Sequence, residues 1–323
     1  MQLIRFRAAG GAPRVGVLED GQVRGLPGIG TMADLLALPV LAVRELCTGQ
    51  AAGDPPFEPE RFDPASLLAP LDGRTEVWAA GVTYERSRSA RVQESLDSAD
   101  IYDKVYDAPR PELFFKSAAW RVAGPGAPVS VRADSEINVP EPELAAVLNA
   151  AGEPVGYTIC NDLSSRSIEG ENPLYLPQAK IYLGGCAAGP WIRPAWEVPD
   201  PHNLSMEMTI SRDGAAAWTG QTSTRGLRRT VAELARFLFR EDEFPAGVLL
   251  STGTSLVPDL PFTLRPGDEI RIAIAEIGEL VNHVVRGKAA LSAGAAGAAG
   301  AAGAAGAGGA AGAAGAGGAA AAG

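Results

Sequence analysis

From Glu112 onward the chain is a succession of short apolar runs separated by turn signals, and this pattern limits the fold more than any other feature. Glu143–Leu148 and Val155–Cys160 are apolar runs joined by Asn149–Pro154, a hairpin candidate carrying Gly152. Met206–Arg212 and Ala215–Thr219 flank Asp213-Gly214, a strong hairpin turn signal. Ile270, Ile272 and Ile274 alternate with Arg271, Ala273 and Ala275, the period of a half-buried strand. One helix stands out: Leu227, Val231, Leu234 and Leu238 recur at helical spacing behind Thr224, a candidate N-cap. Many strands and one long helix predict a mostly β, α+β domain rather than an alternating βαβ fold.

The upstream part reads differently. Gln2–Phe6 and Val15–Leu18 are strand-like, with Gly21 in the following turn, and Ala33–Leu46 has helix-like composition. Pro55-Pro56 and Pro64 mark a linker. We therefore expect a small N-terminal domain over residues 1–70 and a larger one over 71–288. Residues 84–105 form a charged, helix-capable stretch ended by Pro109 and Pro111. Residues 289–323 are an Ala/Gly low-complexity tail. From Ala293 every residue is alanine or glycine, with no polar face and little to bury, so we assign it no function.

Composition excludes several classes. A formal charge of −10 with no basic run argues against nucleic acid or an anionic membrane as partner. No stretch of about 18 apolar residues and no secretory signal is found, so a cytoplasmic location is expected. Cys47, Cys160 and Cys186 are too few and too scattered for a disulfide framework or a zinc pattern. The two histidines, His202 and His283, make no metal motif and follow no nucleophile motif. Proton transfer is left to carboxylates or lysine. Gly124-Pro125-Gly126 reads as a turn, not a phosphate loop, because proline has no N–H to give.

Glu141-Pro142-Glu143 carries the chemical signal. Residues two apart in an extended segment point to the same face, so the two carboxylates would converge. Like charges that close disfavour each other, and a hard divalent cation resolves the conflict. Asp162 ends the next apolar run, and a hairpin could bring it beside the pair. The plainer alternative is a solvated strand edge. Lys180 lies among apolar residues before a Gly-rich turn, and reads either as a base or as a surface lysine. Glu112 opens a run with aromatics, and reads either as an acid kept protonated by burial or as an ordinary strand-end carboxylate. Thr252-Gly253-Thr254 could bind a substrate carboxylate, or be only a turn.

Taken together, these segments resemble the fumarylacetoacetate hydrolase superfamily from about Trp78 to Val285. The matching stretches are Pro111-Glu112-Leu113-Phe114-Phe115-Lys116, Glu141-Pro142-Glu143-Leu144, Gly156 to Asp162, Ser165-Arg166, Gln178 with Lys180, Gly189-Pro190, Thr252-Gly253-Thr254 and Pro266-Gly267-Asp268. The resemblance implies a mixed β-sandwich roll, assembled as a homodimer or homotetramer. It implies Mg2+ (with Mn2+ or Ca2+ as alternatives) held by Glu141, Glu143 and Asp162, and Lys180 in the substrate site. Thr83 to Arg91, Arg110 to Lys116 and Glu171 to Gln178 look most like the superfamily's 2-keto-3-deoxy-pentonate dehydratases. Hydrolase members usually carry a histidine where this chain has Ser87, which favours dehydration over a hydrolysis that needs an activated water.

The expected activity is dehydration of a 2-keto-3-deoxy sugar acid to 2,5-dioxopentanoate. Lys180 would take the proton from carbon 3, and Glu112 would protonate the hydroxyl leaving carbon 4. Phe114, Lys116, Gln178 and Thr254 are candidate contacts to the 2-keto acid. Residues 84–105 are expected to cover the site, with Arg88 or Arg91 meeting the anionic substrate. The rivals are an acylpyruvate hydrolase of the same superfamily and a non-catalytic sugar-acid-binding protein.

Overall fold

The computed structural model describes residues 1–7, 11–51, 53, 58–85 and 104–292. In chain order the strands of the first half are β1 (Gln2–Arg7), β2 (Pro13–Glu19), β3 (Gln22–Gly25), β4 (Glu60–Arg61), β5 (Glu76–Gly81), β6 (Glu112–Ala118), β7 (Pro128–Val131) and β8 (Asn138–Val139). Those of the second half are β9 (Pro142–Leu148), β10 (Pro154–Asp162), β11 (Ser164–Ser165), β12 (Cys186–Pro194), β13 (Ser205–Arg212), β14 (Ala215–Ser223), β15 (Val248–Ser251), β16 (Glu269–Ile274) and β17 (Gly278–Arg286). The helices are short: α1 (Met32–Leu36), α2 (Val40–Cys47), α3 (Arg166–Glu171), α4 (Leu176–Lys180) and α5 (Val231–Leu238).

Ten strands form one sheet in the order β4-β3-β2-β1-β12-β10-β9-β15-β5-β6, and five form a second, β14-β13-β16-β17-β7. The middle of the larger sheet is buried on both sides, which explains why β9 has no exposed residue. Leu144, Ala146 and Leu148 point into a core shared with Met206, Met208, Ile210, Ile270, Ile272 and Leu280 of the second sheet. Ala145 and Val147 point the other way, against Leu3, Val15, Val17, Leu35 and Leu36 from the first 70 residues. Each large apolar side chain removed from water contributes roughly 1.5–3 kcal/mol, so both layers hold the central hairpin in place. The N-terminal strands also join the sheet directly, with Leu3 of β1 opposite Ile192 of β12.

The expected hairpins form. β9 and β10 pair antiparallel, with Glu143 opposite Cys160 and Pro142 opposite Asn161. β13 and β14 close through Asp213 and Gly214, both in the left-handed region at φ 52° and 77°. Two helix expectations need correction. The helical spacing that begins at Leu227 does not start a helix there. Thr224–Gly226 is a 3-10 turn, and α5 starts at Val231, capped by Thr230, whose hydroxyl accepts from Glu233 N at 3.1 Å. The Arg228 N–H is committed to Thr83 O at 2.9 Å, which keeps this stretch out of the helical ladder. The 33–46 stretch is two helices, because Pro39 precedes α2 and cannot continue the ladder of α1.

Candidate active site

The register of the β9–β10 hairpin assembles the acidic cluster. Asp162 closes β10, and its N–H donates to Glu141 O at 2.9 Å, while Glu141 N–H donates to Asn161 Oδ1 at 3.3 Å. One carboxylate oxygen from each of Glu141, Glu143 and Asp162 lies within 4.8 Å of the others, and all three residues are buried. Such a set would be costly without compensation, because each charge has left water and faces two like charges.

Three cations answer it. Lys180, at the end of α4 and 1 % exposed, donates to Glu141 Oε2 at 2.8 Å, Asp162 Oδ2 at 3.2 Å and Ser164 Oγ at 2.6 Å. Arg166, the first residue of α3, pairs with Glu141 Oε1 at 2.9 Å. Lys116 on β6 lies 2.5 Å from Asp162 Oδ1 and donates to Leu163 O at 2.9 Å and Lys180 O at 2.6 Å. Glu143 is held by neutral donors, Ser251 Oγ at 2.5 Å and Gly253 N at 2.7 Å, both on its Oε2. Gly253 sits at φ +90°, and a Cβ there would lie 2.0 Å from Thr83 Oγ1, so only glycine presents this N–H. Burial pushes the Glu143 carboxyl well above the ordinary range, and the charge of Asp162, then Cys160 and Glu141, pushes it further. A divalent cation on the three oxygens would reverse that. The donor set, all carboxylate oxygen, fits magnesium or manganese.

A cleft opens over the cluster. It is lined by the three carboxylates together with Glu112, Phe114, Arg166, Glu169, Lys180 and Thr254, among others. Glu112 opens β6 opposite Gly81 of β5. Its carboxylate rests on the bare Gly81 Cα, since an added Cβ would lie 2.0 Å from Oε2. Phe114 packs with its ring centroid 5.7 Å from Lys180 Nζ. Neither histidine lines the cleft.

The structure thus brings together Glu141, Glu143, Asp162, Lys180, Glu112, Phe114 and Thr254. It does not bring Lys116 or Gln178 to the cleft wall. Lys116 is buried behind Asp162, and Gln178 is exposed on α4 with its carbonyl accepting from Arg132. The Thr252-Gly253-Thr254 turn faces inward, with Thr252 Oγ1 donating to Leu144 O at 2.8 Å and the Gly253 N–H taken by Glu143. Arg88, Arg91 and Ser87 lie outside the described residues, as does most of the 84–105 stretch. Arg166, Ser164 and Ser251 were given no role by sequence reasoning. Only the matched Ser165-Arg166 pair signalled any of them.

Comparison with known proteins fits this geometry. The fumarylacetoacetate (FAA) hydrolase C-terminal family matches residues 76–285. The chain belongs to the fumarylacetoacetate hydrolase family. Within that family it is 51 % identical over 225 residues to a probable 2-keto-3-deoxyxylonate dehydratase of Haloferax volcanii, covering 70 % of this chain and 77 % of that one. It is 43 % identical over 221 residues to the 2-dehydro-3-deoxy-D-arabinonate dehydratase of Saccharolobus solfataricus, covering 68 % and 74 %. A solved 2-keto-3-deoxy-D-arabinonate dehydratase complexed with magnesium and 2,5-dioxopentanoate superposes with a TM-score of 0.75 at 34 % identity, covering 88 % of this chain and 99 % of that one. The mostly β fold expected from the sequence is that of this family member. Among the described residues no helix is long and apolar enough to cross a membrane.

Proposed function

We propose that this chain is a magnesium-dependent hydro-lyase that converts a 2-keto-3-deoxy-pentonate to 2,5-dioxopentanoate. The observation that carries it is the convergence of Lys180 and Glu112 on one cleft with the Glu141, Glu143 and Asp162 cluster. The dehydratase relatives, and the relative complexed with magnesium and 2,5-dioxopentanoate, supply the substrate class. Magnesium held by Glu141, Glu143 and Asp162 would polarise the keto group and stabilise the negative charge that develops beside it.

The chain's own groups divide the remaining work. Lys180 Nζ stands at the cluster, 2.6 Å from Ser164 Oγ, whose hydroxyl in turn donates to Asp162 O at 3.0 Å. Magnesium on the carboxylates would supply the positive charge that the Lys180 ammonium now supplies, and in its neutral form Lys180 would remove the proton from carbon 3. Glu112 protonates the hydroxyl that leaves carbon 4 as water, and the unsaturated product tautomerises to the semialdehyde. Its seat on Gly81 limits where that carboxyl can swing. Phe114 and Thr254 contact the substrate. The reading includes a cytoplasmic homodimer or homotetramer and contact of Arg88 or Arg91 with the substrate carboxylate. A catalytic lysine and acid in the cleft argue against a mere binding protein.

The test is product mass. Purified protein with magnesium is incubated with a panel of 2-keto-3-deoxy acids and acylpyruvates. Loss of water from a keto-deoxy pentonate supports the proposal. Release of pyruvate from an acylpyruvate, with every keto-deoxy acid untouched, would replace it by a carbon–carbon hydrolase.

A further inference from the structure

Each carboxylate of the cluster has one oxygen held by a protein group other than Lys180, and Lys180 holds the second oxygen of Glu141 and of Asp162. Asp162 Oδ1 is 2.5 Å from Lys116 Nζ. Glu141 Oε1 is 2.9 Å from Arg166. Glu143 Oε2 accepts from both Ser251 Oγ and the Gly253 N–H, at 2.5 and 2.7 Å. The oxygens on the Lys180 side, Glu141 Oε2 and Asp162 Oδ2, are the ones that face the reacting groups. Four of the tying groups belong to different elements: Lys116 to β6, Arg166 to α3, Ser251 to β15 and Gly253 to the turn after it.

We infer that this ring of donors, with the buried Lys116 among them, is a selectivity device: it makes each carboxylate a one-oxygen ligand and so selects a small six-coordinate cation over calcium. The inference rests on the cluster being the metal centre of the proposed reaction. Magnesium takes an octahedral set of oxygens with strict geometry, and three one-oxygen carboxylates are half of such a set. Calcium gathers about 6–8 oxygens and commonly takes a carboxylate through both of them. A carboxylate whose second oxygen is held by a buried ammonium cannot rotate to offer both. Lys116 is well placed for this. Its side chain is completely buried, and two backbone carbonyls, of Leu163 and Lys180, hold its Nζ against Asp162 from the far side. Lys116 is therefore a positioning residue: it lies outside the cleft wall and acts through Asp162.

The experiment is calorimetric titration of the substrate-free protein with Mg2+ and with Ca2+, each alone. It compares wild type, Lys116→Met, Lys116→Arg and Ser251→Ala, all checked for native circular dichroism. The ratio of the two affinities is the readout, because removing a nearby positive charge strengthens both divalent ions alike and cancels in the ratio. Wild type binds Mg2+ at least as tightly as Ca2+. Lys116→Met moves the ratio toward Ca2+ by about tenfold or more, equivalent to about 1.4 kcal/mol, and Lys116→Arg keeps it near wild type. Ser251→Ala, which leaves Glu143 one tying donor, moves it in the same direction and carries the test if Lys116→Met does not fold. A wild type that prefers Ca2+, or a ratio that the folded variants do not move, overturns the inference while leaving the dehydratase reading intact. A wild type that binds neither ion overturns both.

Discussion

Replacing Lys180 by methionine separates what this side chain does for the fold from what it does for the reaction. Methionine keeps most of the volume and removes the ammonium from three partners, Glu141 Oε2, Asp162 Oδ2 and Ser164 Oγ. The lysine side chain is 2 % exposed, and those of Glu141 and Asp162 are 4 % and 1 % exposed, so its loss falls on a largely desolvated cluster. Removing one partner of a buried ion pair costs about 3–5 kcal/mol where the other charge is left uncompensated, and Arg166 and Lys116, which still face Glu141 and Asp162, set the cost here at the low end of that range. We expect Lys180→Met to lose roughly that amount in metal-free buffer, measured by urea unfolding. Magnesium puts positive charge on the same oxygens, so the gap to wild type should narrow once it is added. Turnover should not recover. General base catalysis typically contributes about 10²–10⁴-fold, so the magnesium-saturated variant should fall at least ~10²-fold in kcat. Exchange of the carbon 3 proton with deuterated solvent should stop with it. Exchange at the wild-type rate would refute the assignment of Lys180 as base.

Three further outcomes are expected. Glu112→Gln should slow product formation by ~10²-fold or more while carbon 3 exchange, followed by NMR, survives, because the acid acts after the proton has left. Gly81→Ala should mimic it with Glu112 intact, since the new methyl would fall 2.0 Å from Oε2 and displace the carboxyl; a kcat within twofold of wild type would mean that seat is irrelevant. The fall of stability with rising pH should depend on magnesium. The Glu143 carboxyl is raised by burial and then by Asp162, Cys160 and Glu141, so in metal-free protein its contribution is full below the ordinary carboxylate range and is lost as pH rises through its elevated folded value. Saturating magnesium should hold the ionised form and abolish that loss in a melting series across the same window.

The parts of the site carried by local pattern could be read from the sequence. Glu141 and Glu143 announce themselves by spacing, and Asp162 follows because one apolar hairpin joins them. The helix of the C-terminal half was misjudged at its start because Arg228 N–H goes to Thr83, a partner about 145 residues away that no local spacing reveals. The same limit hid Ser251, which meets Glu143 across 108 residues. Nothing local to Arg166 reveals its partner either: Ser165 caps α3 and turns the arginine inward onto Glu141. Strict alternation along β6 would put Lys116 on the same face as Glu112 and Phe114.

The pairing of β6 with β5 shows why it does not. Gly81, Ala80, Ala79 and Trp78 oppose Glu112, Leu113, Phe114 and Phe115 in register, but Val77 opposes Ser117. Lys116 is therefore the extra residue of a bulge, and a bulge re-aims the side chain it carries. Up to the bulge the strand delivers Glu112 and Phe114 to the cleft. At the bulge it turns a lysine under the floor, where Nζ reaches Asp162 and the carbonyl of Lys180. At about 3.3 Å per residue, Glu112 and Lys116 are separated by roughly 13 Å along the strand. One strand thus sets the acid at one end and, at the other, anchors the backbone that carries the base. The distance between acid and base is then a property of the β5–β6 register. A one-residue slip of that register would turn Glu112 and Phe114 out of the cleft together, whatever the state of the metal ligands on β9 and β10.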